Sequence, residues 1–367
     1  MNKEKILQSI ITDSSVRRKL VDQSHEAFCS IYLSHHITHP YAFFHKEMFR
    51  MTESYNHKLN VVMAFRGSGK STVLNLSNTI WSILGKHQKK FVLIISKSRV
   101  QSQAHFENIK SELEDNELLK QDLGPFRSSS NEWGSHSIEL PLYGAKIMCI
   151  KSLQNIRGLK YKSKRPDLII CDDMEDIVTV QDGERNKMLL DWFLNEVMNI
   201  GDEKTNIVVL GNLLSQYSLM IQLKKLIMHD KLEGKYYAYP LLDNKNRILW
   251  PQRYSINDVL AIAKNLPSER IKGAYKMFDR DYRLNMSYVV DGFSKLKYKN
   301  PPITNTAIRK EEFEITTPLW AMGVLIYENQ TVDDPDGWDG KTTGPNIKEK
   351  DKGLDKLKGS FDEKKRN

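Results

Sequence analysis

Cysteine is scarce in this chain. It holds three in 367 residues, Cys29, Cys149 and Cys171, far apart and without a C-x-x-C pair. That excludes a disulfide framework and a thiolate zinc cluster, and it fits a reducing cytoplasm. Long apolar runs are missing too. No stretch approaches the length needed to span a bilayer, and the N-terminus lacks the apolar core of a signal peptide. The expectation is a cytoplasmic protein with no membrane partner. An acidic excess is also absent: 55 Lys and Arg outnumber 46 Asp and Glu, a net charge of +9. A basic balance favours an anionic partner such as nucleic acid, the plain alternative being a merely basic protein. The length suits two ordinary domains or one large α/β domain with appendages, and no internal repeat is visible.

What is present centres on Val61-Val62-Met63-Ala64-Phe65-Arg66-Gly67-Ser68-Gly69-Lys70-Ser71-Thr72. An apolar run enters a short glycine-bearing turn that opens into a helical pattern from Val73 to Trp81. Read physically, this is a buried strand, a tight loop and a helix N-terminus. Such a loop wraps a phosphate chain with inward-pointing N–H groups and a favourable helix dipole. Arg66, Gly67, Ser68, Gly69, Lys70, Ser71 and Thr72 form the candidate ATP site. Lys70 would reach the β- and γ-phosphates, and the Ser71 hydroxyl would ligate Mg²⁺. The pattern departs from G-x-x-x-x-G-K-[ST] at its first glycine, which is Ala64. The competing reading is a chance strand-to-helix turn.

In chain order, residues 1–36 read as a helical region, with Ser14 or Ser15 as a cap. His35, His36 and His39 cluster after it, and with no carboxylate beside them they read as a polar helix end rather than a metal site. The aromatic cluster around Phe44 suits either an adenine ring or plain core packing. Phe91–Ser96 reads as a second buried parallel strand, 99–119 as an exposed amphipathic helix, and 137–150 as a hairpin. Lys151 to Arg165 is a basic loop with Gly158 near its middle. It reads either as solvated or as a phosphate-facing loop carrying a catalytic arginine or DNA contacts. Leu168-Ile169-Ile170-Cys171-Asp172-Asp173-Met174-Glu175-Asp176 is a strand whose carboxylates emerge at the edge where α/β sheets collect ligands. Asp172 is placed to hold Mg²⁺, and Asp173 to orient or deprotonate the attacking water, with Glu175 next in line. Ile207–Asn212 is another strand, ending in Gly211-Asn212, where the amide would sense the γ-phosphate. Helix 216–229, a short strand near 236–239 and two helices over 255–289 follow. From about Asp291 prolines interrupt any regular pattern, and residues 333–367, rich in Asp, Gly and Lys with almost no apolar content, read as a disordered, charged tail. Asp333, Asp334, Asp336 and Asp339 there read as solvated rather than as metal ligands.

These motifs resemble the large terminase subunit of tailed bacteriophages, specifically its N-terminal packaging ATPase domain, over roughly residues 25–290. The resemblance rests on Phe44-His45-Lys46-Glu47-Met48-Phe49, the 64–72 loop, Ile156-Arg157-Gly158, the 165–173 strand, Leu210-Gly211-Asn212 and Phe278-Asp279-Arg280-Asp281-Tyr282-Arg283-Leu284-Asn285. That family's phosphate loop commonly lacks its first glycine and carries an arginine before the next.

The resemblance implies a P-loop NTPase of the RecA/ASCE-like kind, a mostly parallel sheet flanked by helices. The expected division is an N-terminal helical region at 1–36, an ATPase core at 37–215, a lid or linker at 216–290 and an extension at 291–367 without a complete nuclease. It implies an ATPase that uses ATP and Mg²⁺ to translocate double-stranded viral DNA. Lys70 and Ser71 would handle phosphates and metal, Asp172 the metal, and Asp173 the water. Arg66 in cis and Arg157 from a neighbouring subunit are both candidates for the transition-state arginine. Gly211 and Asn212 would couple hydrolysis to movement, and the segment around Phe44 would hold adenine. Implied partners are duplex DNA, further copies in a ring, a small terminase subunit and the portal protein of a procapsid, with action in the host cytoplasm. The rival expectations are a helicase-like nucleic-acid-stimulated ATPase and a non-catalytic scaffold on the same fold.

Overall fold

The computed structural model describes residues 3–129, 131–176, 179–180, 182–243, 247–265 and 281–284. The second helix expected over 255–289, the start of the 278–285 motif and the whole 291–367 extension lie outside these residues.

A seven-stranded sheet organises the chain, in the order β3-β4-β2-β5-β6-β1-β7. The strands are β1 (Leu59–Ala64), β2 (Phe91–Ser96), β3 (Ser137–Leu140), β4 (Ala145–Lys151), β5 (Leu168–Asp172), β6 (Asn206–Gly211) and β7 (Lys235–Tyr239). Every pairing is parallel except the β3–β4 hairpin. Strands β1, β2 and β5 are continuous apolar runs because both faces are covered. Their side chains alternate between two cores. Val62, Ala64, Val92, Ile94, Ile170 and Val208 face one core, together with Phe28, Trp81 and Phe106. Val61, Met63, Ile95, Ile169, Cys171 and Val209 face the other, against Leu189, Phe193, Leu219 and Leu223. This is the mostly parallel, helix-flanked sheet expected from the sequence. One strand, β6, intervenes between the strand entering the phosphate loop and the strand ending in Asp172.

The N-terminal region forms three helices, α1 (Lys3–Thr12), α2 (Ser14–Gln23) and α3 (His25–Tyr32). Asp13, not Ser14 or Ser15, caps α2 by accepting from Ser15 N, because Asp13 is the extended residue before the helix and both serines already lie in its first turn. Ser24 caps α3. After α4 (Phe43–Ser54) and β1, the helix behind the phosphate loop opens with a π-helical stretch, Thr72–Ser77, and continues as α5 (Asn78–Leu84).

The single exposed helix expected over 99–119 is instead two, α6 (Arg99–Asp115) and α7 (Glu117–Leu123), divided where Asn116 caps the second. Their inner faces bury Phe106, Ile109, Leu113 and Leu119. On the other face of the sheet, α8 (Gly183–Trp192) and α9 (Leu219–Met228) pack, and α10 (Ile256–Asn265) follows later. The short strand expected within 216–290 is β7, which extends the main sheet beside β1. Among the described residues no helix is long and apolar enough to cross a membrane.

Candidate nucleotide site

The parallel strands β1, β5 and β6 all end at one edge, and the sequence motifs meet there. After Ala64 the chain turns through Gly67 and Gly69 at φ of +76° and +79°, a region glycine enters without the cost of a Cβ. Two aromatic elements brace the loop. His45 of α4 accepts from Ala42 N at Nδ1 (2.9 Å), so its proton sits on Nε2 and is donated to Ser68 O at 2.7 Å. Burial pushes the His45 imidazole down to about 3, although the Ser68 carbonyl favours the charged form. On the outer side, Arg253 donates to Gly67 O at 2.7 Å while its guanidinium lies over Trp250 and Tyr254.

Lys70 leaves the loop buried and donates from Nζ to Asn212 Oδ1 at 2.9 Å, joining the phosphate-loop lysine to the end of β6. Asp172 is fully buried at the end of β5. Its carboxylate accepts from Ser71 Oγ at 3.3 Å and from Asn75 Nδ2 at 2.9 Å. Asn75 belongs to the π-helical stretch, a winding concentrated at functional sites. An Mg²⁺ fits this corner by donor chemistry, since a hydroxyl and a carboxylate converge in an all-oxygen set suited to a hard cation. The Ser68 hydroxyl is buried without a hydrogen-bond partner, which suits a loop built to face an acceptor-rich ligand.

Asp173 follows at φ +49°, a left-handed conformation. Burial raises its pKa, and Asp172 adds to the rise, while Lys70, His105 and Arg66 oppose it. Sequence reasoning missed His105 of α6. Its Nε2 lies 3.6 Å from Asp172 Oδ2, buried and without a hydrogen-bond partner. Its spacing on an amphipathic helix gave no sign of this. Glu175 points elsewhere. Its Oε2 accepts from Leu219 N at 2.7 Å, and burial raises it to about 7.

The two arginines differ. Arg66 is anchored to the returning segment 281–284, with its N–H on Asp281 O at 3.2 Å and Nε 3.4 Å from the buried Asp281 carboxylate. Arg157 stands on the basic loop, 78% exposed, paired with Glu196 of its own chain at 2.5 Å. The loop leaves β4 at the nucleotide edge, where Ser152 N donates to Ser96 O, and re-enters the sheet at the opposite edge through Asp167. Gly211 packs against Met220, where an added Cβ would meet the side chain at 3.0 Å. Phe44 is buried among Phe65, Tyr239 and Trp250, so of its two readings the geometry gives core packing.

No protein-family model matches the sequence, and no curated protein matches it. Solved structures do. Those that this chain resembles include bacteriophage large terminases. Against the HK97 large terminase the TM-score is 0.48 at 13% identity, covering 72% of this chain and 54% of that one. The ATPase domain of the Thermus phage P74-26 large terminase gives 0.44 at 11% identity, over 67% of this chain and 94% of that domain. The large terminase of a thermophilic bacteriophage, solved in complex with ATP-gamma-S, gives 0.39 at 11% identity, over 66% and 52%. The chain thus spans about half the length of the HK97 protein.

Proposed function

We propose that this chain is the ATP-hydrolysing motor subunit of a terminase-like machine that drives double-stranded viral DNA into a procapsid. The observation that carries the reading is the convergence of Lys70, Ser71, Asp172 and Asp173 at one sheet edge, with Asn212 on Lys70. ATP would lie with its phosphates in the loop from Arg66 to Thr72. Lys70 stabilises charge on the γ-phosphoryl, and Asp173 orients the attacking water and takes its proton. Mg²⁺ held by Ser71, and through water by Asp172, would neutralise phosphate charge. A γ-phosphate that draws Lys70 takes it from Asn212, which gives β6 a route to sense occupancy. The exposed Lys160, Lys162 and Lys164 of the basic loop suit a duplex backbone. Arg157 suits a neighbour's site in a ring, alongside a small terminase subunit and a portal protein in the host cytoplasm.

The test is ATP binding and hydrolysis by the purified chain, with and without duplex DNA across a salt series. Binding, together with DNA-stimulated turnover that salt suppresses and Lys70→Ala removes, is the expected result. A chain that neither binds ATP nor exceeds the Lys70→Ala background with DNA refutes the reading.

A further inference from the structure

Away from the nucleotide edge, three side chains with metal-ligand chemistry converge. A single 3₁₀ turn, Ser34–His36, follows α3 and brings His35 and His36 together, their rings 4.3 Å apart. Both present Nε2 to one oxygen, Oε1 of Glu112, at 2.8 Å each. In the sequence these histidines had no carboxylate beside them; the fold brings one from 76 residues away on α6.

The carboxylate is held for the purpose. Its other oxygen accepts from Asn116 Nδ2 at 3.0 Å, and the same amide group reaches Tyr32 O at 2.6 Å. Glu112 is therefore an anchored acceptor. The two histidines are partly exposed, at 53% and 33%, which leaves an entry path and room for water.

We infer that His35, His36 and Glu112 form a binding site for a borderline transition-metal ion of the Zn²⁺ class, distinct from the nucleotide site. Two imidazoles and a carboxylate are a known zinc donor set, with metal distances of about 2.0–2.2 Å. Tetrahedral placement sets the donor atoms about 3.4 Å apart by these distances, so each 2.8 Å contact opens by roughly half an ångström. Water completes the coordination. No proton need leave a neutral imidazole: it moves from Nε2 to Nδ1, and the freed Nε2 lone pair binds the ion. The donor set excludes Mg²⁺ as the preferred ion, because a hard cation favours oxygen ligands. Bound metal would tie the 34–36 turn to α6. The turn leads into α4, whose His45 braces the phosphate loop, so the ion would stiffen the support of the nucleotide site.

The test is calorimetric titration of Zn²⁺ into EDTA-stripped full-length protein, with Co²⁺ absorption as a second readout. One equivalent is expected to bind at micromolar or tighter affinity, and the melting temperature should rise with Zn²⁺. Co²⁺ should give tetrahedral d–d bands without thiolate charge transfer, since all three cysteines are buried. His35→Ala with His36→Ala, and separately Glu112→Gln, should weaken binding at least tenfold and abolish the melting shift. His39→Ala should change nothing, because His39 contacts Thr38 and Trp250 instead. Absence of stoichiometric binding in the wild type overturns the proposal. So does binding unchanged in the double variant. Should the variants fail to fold, the stoichiometry and Co²⁺ spectrum of the wild type still decide it.

Discussion

Replacing His45 tests how the phosphate loop is held. The ring bridges two buried backbone groups, accepting from Ala42 N and donating to Ser68 O. His45→Phe keeps an aromatic ring of similar bulk but removes both bonds. Leaving a buried donor or acceptor unpaired costs about 1–3 kcal/mol, so the pair together costs on the order of 2–6 kcal/mol. In a domain of this size that is a fall in melting temperature on the order of 10 °C. His45→Ala adds a cavity under Phe44 and Trp250 and should be worse. His45→Gln can place an amide donor near Ser68 O and should fall between wild type and Phe. Because Gly69 sits against the same ring, the loop loses its shape as well as its support. The KM for ATP should therefore rise by about tenfold in the Phe variant, roughly 1.4 kcal/mol of binding. Urea unfolding and steady-state ATPase assays measure both effects. A Phe variant within 1 kcal/mol of wild type, with unchanged KM, would show that the His45 bridge does not hold the loop.

Asp173→Asn should bind a fluorescent ATP analogue as the wild type does while turnover falls about a hundredfold or more; a wild-type rate would refute the role given to Asp173, and Glu175, turned toward Leu219, could not take it over. Glu175 itself has a pH signature. Burial raises it from 4.5 to about 7, so the folded state holds its proton more tightly than the unfolded chain. The stability from that proton is full below pH 4.5 and is lost as pH rises through 7. Glu175→Gln, which needs no proton, should gain on the wild type by about 3 kcal/mol between pH 4 and pH 8. Urea unfolding at the two pH values measures this, and an equal difference at both rejects burial as the cause. Arg157→Ala should bind ATP normally but lose on the order of 10³ in rate under assembly conditions. Mixing it with Lys70→Ala should restore part of the activity, and co-assembled mixtures that stay inactive point to Arg66 instead.

What could be read from the sequence follows from where the determinants lie. Strands β1, β2 and β5 are buried on both faces, so each appears as an unbroken apolar run. The phosphate loop is contiguous, so its chemistry is legible in one stretch. Strand β7 is an edge strand with mostly half-buried residues, and its Lys-Tyr-Tyr-Ala-Tyr run carries too weak a pattern to reveal that it joins the sheet. His105, Asn75 and Arg253 act through contacts between distant segments, and none has a local pattern that marks it. Phe44 belonged to a recognisable motif, yet only the packing separates an adenine platform from a core ring. The same limit hid Glu112 from the two histidines that meet it.

The cations proposed to meet phosphate are each engaged with a protein acceptor, and the acceptors differ in strength. Lys70 holds a neutral amide, Asn212. Arg66 holds a buried carboxylate, Asp281, reinforced by its own backbone N–H. Arg157 holds Glu196 at the surface, where water weakens the pair. A phosphate must displace these partners, and a neutral amide yields most readily because its bond to a cation is the weaker one. Under the proposed function Lys70 would be the first to exchange, and the exchange would free Asn212 at the end of β6. Arg66 is tied to the 281–284 segment by its backbone N–H as well as by its side chain. Asp281 therefore argues for Arg66 as a fixture that fixes the returning 281–284 segment to the loop. Arg157, whose partner Glu196 holds it at the surface, is the arginine we propose for a neighbour's site.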